Sequence, residues 1–163
     1  MRKLLCVVIG VAGLAAAGSI VAASAPGDLT PPTGYRRWFH VNTSLVDSGS
    51  PFFAQLAGMH NIYLNAVGQP ALEKGGIYPD GSIFADDIHT VTVTDHTYAE
   101  GGRAAVAVMV KDAKKYAATG GWGFQAWAGG DATKPVVTDA ASQCFACHTP
   151  QKDHQYVFST YLP

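Results

Sequence analysis

The stretch DIHTVTVTD, residues 87–95, gives the clearest indication of the fold. Its valines and threonines alternate, and a period of two residues is typical of a β-strand. The stretch RAAVAVMVKD, residues 103–112, alternates in the same way. We predict that these two strands pair across a loop formed by YAEGG, residues 98–102, because glycine and short polar residues favour a turn. The two stretches therefore predict an antiparallel hairpin.

The rest of the chain predicts further strands and short helices around this hairpin. Aromatic and β-branched residues indicate three more strands, and short amphipathic or proline-initiated stretches indicate helical turns. The fold class expected is mainly β (α+β), an antiparallel sheet of about five strands with two or three short helices and a C-terminal attachment segment. The additional strands are predicted at 35–46, 59–67 and 122–127, and the helical turns at 69–76 and 111–119.

The N-terminal residues have the pattern of a secretory signal peptide. Arg2 and Lys3 precede a long apolar run, and small residues allow cleavage after Ala23. An uncleaved membrane anchor is the alternative, since the run is nearly long enough to span a bilayer. We predict a signal peptide over residues 1–23, an extended lead-in rich in proline and glycine over 24–34, and one domain over 35–163. The expected location is the periplasm.

Removal of the signal peptide changes the charge and the cysteine count. The whole chain has 11 Lys and Arg against 12 Asp and Glu, and loss of Arg2 and Lys3 leaves nine against 12, a net charge of −3. Neither this charge nor any basic stripe favours nucleic-acid binding. Of three cysteines, Cys6 is also removed. The mature chain therefore keeps two cysteines, Cys144 and Cys147.

The two remaining cysteines belong to the motif CFACH, residues 144–148. A structural zinc site needs four ligands, and a single cysteine pair supplies only half of them. A redox disulfide usually lies in a βαβ context, which the sequence does not indicate. Attachment of haem c explains every position, because two thiols react with the porphyrin vinyl groups and the adjacent histidine binds iron. We therefore predict one covalent haem c, with His148 as the iron ligand.

The second axial position of the iron separates an electron carrier from a ligand-binding protein. A Met or His at that position would give a six-coordinate carrier, whereas an apolar pocket would leave the position open to a small gas. No sequence neighbourhood favours one candidate, and Met109 is expected to be a core residue. The candidates are Met59, Met109, His40, His60, His89, His96 and His154.

A late CxxCH motif in a mainly β chain resembles the cytochrome P-460 family, which includes the β-sheet cytochromes c′. Most of the chain from Tyr35 onward takes part in the resemblance. The matching stretches are YRRWFHVN (35–42), IYPDGSIF (77–84), VMVKDAKKYAATGGWGFQAW (108–127), CFACH (144–148) and YVFSTY (156–161).

The resemblance implies two activities within the family. Hydroxylamine-oxidising members have a lysine cross-linked to the haem after the Asp-Gly turn and a carboxylate in a later strand. This chain has Asp86 at the first position and Ala107 at the second, so it lacks both on the simplest alignment. Lys74 precedes the same turn and leaves a shifted cross-link open. An enzyme of this type remains the alternative function, and an electron-transfer cytochrome is the second alternative.

The gas-binding members place phenylalanines over the ligand side of the haem. Phe84 and either Phe52 or Phe53 fall in the corresponding regions, although core aromatic residues would fit the same pattern. The resemblance therefore implies a five-coordinate, periplasmic haem protein that binds NO or CO. Distal-pocket candidates are Phe52, Phe53, Phe84, Asp86 and Ala107. The partners expected are a small gas or hydroxylamine, a redox partner protein and a second copy in a homodimer.

Overall fold

A computed structural model describes residues 28–163 of the chain. The predicted signal peptide and the first residues of the lead-in lie outside the described residues. Five antiparallel strands form one sheet in which each strand pairs with the next along the chain. The expected mainly β class is confirmed. The strands are β1 (Phe39–Val46), β2 (Gly58–Leu64), β3 (Ile83–Thr94), β4 (Thr97–Lys111) and β5 (Trp122–Ala128).

The helices are short and connect or follow the strands. None of the helices in residues 28–163 has the length and apolar character needed to cross a membrane. The α-helices are α1 (Phe53–Leu56), α2 (Gln69–Lys74) and α3 (Ala146–His148). Single turns of 3₁₀-helix occupy Tyr35–Arg37 and Ala117–Thr119, a longer one occupies Thr149–His154, and a π-helical turn occupies Ala141–Phe145.

Two local predictions were wrong. The expected loop at 98–102 is part of β4, because the β3–β4 hairpin continues to a tight turn at Asp95 and His96, both with positive φ. The expected helix at 111–119 is reduced to Ala117–Thr119. The Asp112 carboxylate accepts a hydrogen bond from the Lys115 amide, a local turn that competes with a continuous helix.

The two faces of the sheet are covered differently. One face, the closed face, carries Ala85, Val106, Val108 and Trp127, and all four side chains are buried in one apolar cluster. The opposite face, the open face, carries a cross-strand row formed by Ile62, Asp86, Ala107 and Ala126. All four residues of this row remain partly exposed, although three of them lie on β2, β3 and β4, the internal strands of the sheet.

A second apolar cluster covers one end of the open face. Leu64, Phe84, Trp122 and Phe124 form its buried centre. Cys144, Phe145 and Tyr156, from the segment that carries the CxxCH motif, pack against it. The C-terminal segment is therefore held next to the partly exposed row of the open face.

Candidate haem site

The segment that carries the CxxCH motif begins at a cap formed by Asp139. The Asp139 carboxylate accepts hydrogen bonds from the Ala141 amide and the Ser142 hydroxyl, at 3.0 and 2.6 Å. Such a cap satisfies backbone donors at a helix start. Hydrogen bonds from Ser142 and the nearby amides lower the pKa of Asp139. Asp139 therefore starts the helical segment at a defined residue.

Cys144 and Cys147 lie one helical turn apart in this segment. Both are free thiols, and Cys144 is half-buried while Cys147 is exposed. Burial, with smaller contributions from Cys147 and Asp139, raises the pKa of Cys144 to about 11. Residues three apart in a helix lie on the same side. Two free thiols are therefore available along one edge of the segment, as thioether bonds to a porphyrin require.

His148 has the geometry of an oriented metal ligand. Its Nδ1–H donates to the backbone carbonyl of Tyr156 at 2.7 Å, since a carbonyl can only accept. Burial lowers the pKa of His148, and the bond to Tyr156 opposes this only in part. The ring is therefore neutral at pH 7 with its lone pair on Nε2, the form in which imidazole binds a metal.

The carbonyl that orients His148 is positioned by an unusual turn. Gln155 and Tyr156 have φ values of 56° and 65°, a left-handed conformation that is uncommon for residues with a side chain. The Gln155 carbonyl accepts a hydrogen bond from the Trp122 indole at 2.9 Å, and the Gln155 side chain accepts one from the Tyr78 amide. The core therefore holds this turn, and the turn presents the Tyr156 carbonyl to His148.

His148 also contacts the sheet. Its ring lies 5.2 Å from the Phe124 ring and 5.0 Å from the Phe158 ring. Phe124 is two residues from Ala126 in β5, and Ala126 lies two strands from Asp86. Strand spacing of about 4.8 Å and a rise of about 3.4 Å per residue place Asp86 about 12 Å from Phe124 across the open face. This span is comparable with the width of a porphyrin.

Asp86 pairs with His60 on the open face. The His60 Nδ1 lies 2.7 Å from the Asp86 Oδ2, and the His60 Nε2–H donates to the Leu56 carbonyl at 2.8 Å. Burial raises the pKa of Asp86 even though His60 opposes the shift. Burial lowers the pKa of His60, but the hydrogen bond and charge of Asp86 outweigh it and the pKa is raised. Within residues 28–163, the other oxygen, Asp86 Oδ1, is buried without a hydrogen-bond partner.

The remaining distal-pocket candidates fall into three places. Ala107 is the cross-strand neighbour of Asp86. Phe84 is 5% exposed and packs against the rings of Tyr78 and Trp122, within the apolar cluster. Phe52 and Phe53 are 51% and 43% exposed, at the start of the short helix whose last residue is hydrogen-bonded to His60.

The candidate second axial ligands are dispersed. Met59, His40 and His89 lie on strands, and strand alternation or their contacts place them on the closed face. His96 lies in the β3–β4 turn, and His154 ends the last 3₁₀-helix. Met109 is on the open-face side but packs against the apolar cluster. His60 is on the open face, with both ring nitrogens hydrogen-bonded.

These features fit a haem group between the CxxCH segment and the open face. A flat apolar group is compatible with the free thiols and with the neutral imidazole, whose Nε2 is oriented. It is also compatible with the partly exposed row of the open face, in which two of the four residues are alanines. No cluster of three or more His, Cys, Asp or Glu side chains suited to a metal ion occurs in the described part of the chain. Bound haem supplies an iron atom that coordinates small ligands or exchanges electrons.

A mainly β domain that holds a CxxCH segment against its sheet defines a haem-binding cytochrome of the β-sheet class. Residues 32–159 match the family model of cytochrome P460. The chain belongs to the cytochrome P460 family, and it is a haem cytochrome. A comparison with curated proteins found no significant match.

Three elements of the site were missed at the level of sequence. These are the pairing of His60 with Asp86, the helix α1, and the left-handed turn at Gln155 and Tyr156. His60 lies in a predicted strand and Asp86 directly precedes another, so their pairing follows only if the register between β2 and β3 is known. The turn at Gln155 and Tyr156 contains no glycine or asparagine, the residues from which a left-handed turn is usually predicted.

Proposed function

We propose that this chain is a periplasmic mono-haem c cytochrome with five-coordinate iron that binds NO, or CO, on the open face. Cys144 and Cys147 hold the haem, His148 binds the iron, and Tyr156 orients His148. The location rests on the signal-peptide pattern of residues 1–23. A redox partner protein and a homodimer are part of the same proposal.

One observation carries the proposal of an open coordination position. On the open face of the described structure, the two candidate axial ligands are already engaged, His60 through both ring nitrogens and Met109 through apolar packing. Neither ring nitrogen of His60 is free to bind iron without a rearrangement, and the Met109 side chain packs against the apolar cluster. The exposed rings of Phe52 and Phe53 border the same face through α1. Apolar rings offer no hydrogen bond, so they favour NO or CO over polar ligands.

The second candidate function is oxidation of hydroxylamine. The observation in its favour is the half-buried Asp86 carboxyl, which together with His60 is able to accept a proton from a substrate. Ala107, however, offers no second carboxylate beside it, and Lys74 lies exposed at the end of α2 rather than in β3. Electron transfer by a six-coordinate haem requires Met109 or His60 to leave its contacts.

The proposal is tested by absorption spectroscopy of the purified holoprotein, expressed with its N-terminal segment. We expect a high-spin ferrous spectrum that changes on addition of CO or NO, and an intact mass of one haem per chain that is lost on replacement of both cysteines by alanine. A low-spin ferrous spectrum that ignores both gases would contradict the proposal. A red-shifted ferrous Soret band with hydroxylamine turnover would support the enzyme instead.

A further inference from the structure

The pair formed by His60 and Asp86 connects three parts of the fold. His60 belongs to β2, Asp86 to β3, and the carbonyl of Leu56 ends α1. The imidazole therefore joins α1 to the open face through two hydrogen bonds of 2.8 and 2.7 Å. α1 has only four residues, so its own backbone hydrogen bonds hold it weakly.

The geometry requires one proton between the two side chains. The Leu56 carbonyl can only accept, so the His60 Nε2 must carry a hydrogen. With that hydrogen in place, a neutral His60 has a lone pair on Nδ1, which faces an oxygen of Asp86 at 2.7 Å. The contact is attractive only if a second proton lies between Nδ1 and Oδ2. Without this proton, the lone pair of Nδ1 faces a lone pair of Oδ2 and the two repel. His60 then keeps only one of its two hydrogen bonds, to Asp86 or to Leu56.

The surroundings of the pair contain few other charges. Ala105 and Ala107 face it from β4, Ser44 pairs with His60 from β1, and α1 contributes no ionisable side chain. The charge of Asp87, on the closed face, acts on Asp86 and raises its pKa. Among the described residues, the state of the pair therefore depends mainly on its own proton, and the raised pKa of His60 favours retention of that proton.

We propose that the proton shared by His60 and Asp86 latches α1, with Phe52 and Phe53, to the open face and thereby controls the rate at which small ligands reach the iron. His60 is a positioning residue in this role. The latch is closed below the pKa of the pair and opens as the pH rises through it. The effect on ligand access rests on the proposed function, whereas the latch itself does not.

The matched variants are Asp86→Asn and His60→Leu. An asparagine amide donates to the His60 Nδ1 and keeps both hydrogen bonds without a mobile proton. Leucine at position 60 removes both bonds. His40→Leu is the control, because His40 is an exposed histidine on the closed face with a single side-chain hydrogen bond, to Thr43.

The test is hydrogen exchange of the holoprotein between pH 6 and 9, read at the amides of Phe53, Gln55 and Leu56, together with CO recombination after photolysis. After correction for intrinsic exchange, the wild-type rates should rise about tenfold with pH, as expected for the loss of one charge-assisted hydrogen bond. Asp86→Asn should stay slow at every pH, His60→Leu should stay fast, and His40→Leu should follow the wild type.

Each outcome decides the proposal. If the wild type and Asp86→Asn have the same pH profile, no shared proton holds α1 and the latch is wrong, whether or not His60→Leu folds. If exchange follows the expected pattern but CO recombination is the same in every variant, α1 is latched without controlling access. If no variant binds CO, the function proposed above fails while the exchange data still decide the latch.

Discussion

Asp86 and Asp87 are neighbours in β3, and their side chains lie on opposite faces of the sheet. On the closed face, Asp87 is fully buried and accepts hydrogen bonds from Arg36 and Arg103, both at 2.6 Å. Burial alone raises the pKa of Asp87, but these hydrogen bonds outweigh burial and lower it to about 2. On the open face, Asp86 has one side-chain partner among the described residues, His60, and its pKa is raised.

The difference shows how a sheet separates stability from function. Two guanidinium groups and the His89 ring contact the carboxylate of Asp87, which therefore joins β3, β4 and the Tyr35–Arg37 turn. Within residues 28–163, Asp86 is left with one oxygen that has no hydrogen-bond partner, and its pKa is raised. Groups of this kind are typical of functional sites.

The largest difference between the two faces is expected in the free energy of unfolding, when Asp87 and Asp86 are each replaced by asparagine. Asp87→Asn should lower the free energy of unfolding by roughly 2–4 kcal/mol, because it leaves two arginines without their carboxylate. Asp86→Asn should lower it by less than about 1 kcal/mol, since the amide keeps the hydrogen bond to His60. Urea unfolding of the holoproteins measures both, with unchanged m-values as the control. Equal losses would mean that the two faces do not differ in this way.

The pH dependence of stability should separate the two carboxyls next. Because the pKa of Asp87 is lowered, its contribution is complete above the ordinary aspartate range and is lost as the pH falls towards about 2. The wild type should therefore lose about 2 kcal/mol of its advantage over Asp87→Asn between pH 5 and 2.

His60 behaves in the opposite sense. Its pKa is raised, so its contribution is complete below about 6.5 and is lost as the pH rises through the folded value. The free energy of unfolding of the wild type should therefore fall relative to that of Asp86→Asn as the pH rises above 6.5. Urea midpoints across the pH range measure both differences. A stability difference between the wild type and Asp87→Asn that stays constant from pH 5 to 2 would contradict the first prediction.

The smallest difference between the two faces is expected when one alanine on each face is replaced by leucine. Ala85→Leu adds volume to a fully buried position on the closed face and should lower the free energy of unfolding by about 1–2 kcal/mol. Ala107→Leu lies on the partly exposed row and should change it by less than about 0.5 kcal/mol, while it reduces the haem content. Unfolding curves and the haem-to-protein ratio check the pair. A normal haem content in Ala107→Leu would place the haem away from this row.

The sequence predicted the strands well because each has a clear alternation or a run of β-branched and aromatic residues. It failed at 98–102, where glycines suggested a loop but a neighbouring strand supplied the hydrogen bonds of β4. It also failed at 111–119, where side-chain hydrogen bonds of Asp112 and Asp80 replaced a helix by a turn. Both errors arise where hydrogen bonds to a neighbouring strand or to aspartate side chains outweigh helix and turn propensity.

By itself, the sequence determined the class of the protein, since residues 32–159 match the cytochrome P460 family and the CxxCH motif predicts haem attachment from a few adjacent residues. Alternation determined the sheet for a similar reason, because it depends on neighbours two residues apart. Only the tertiary structure decided that His60 pairs with Asp86, and that Asp86 and Asp87 have opposite surroundings. Strand register and the packing of α1 set these contacts, and both depend on residues that are far apart in the chain.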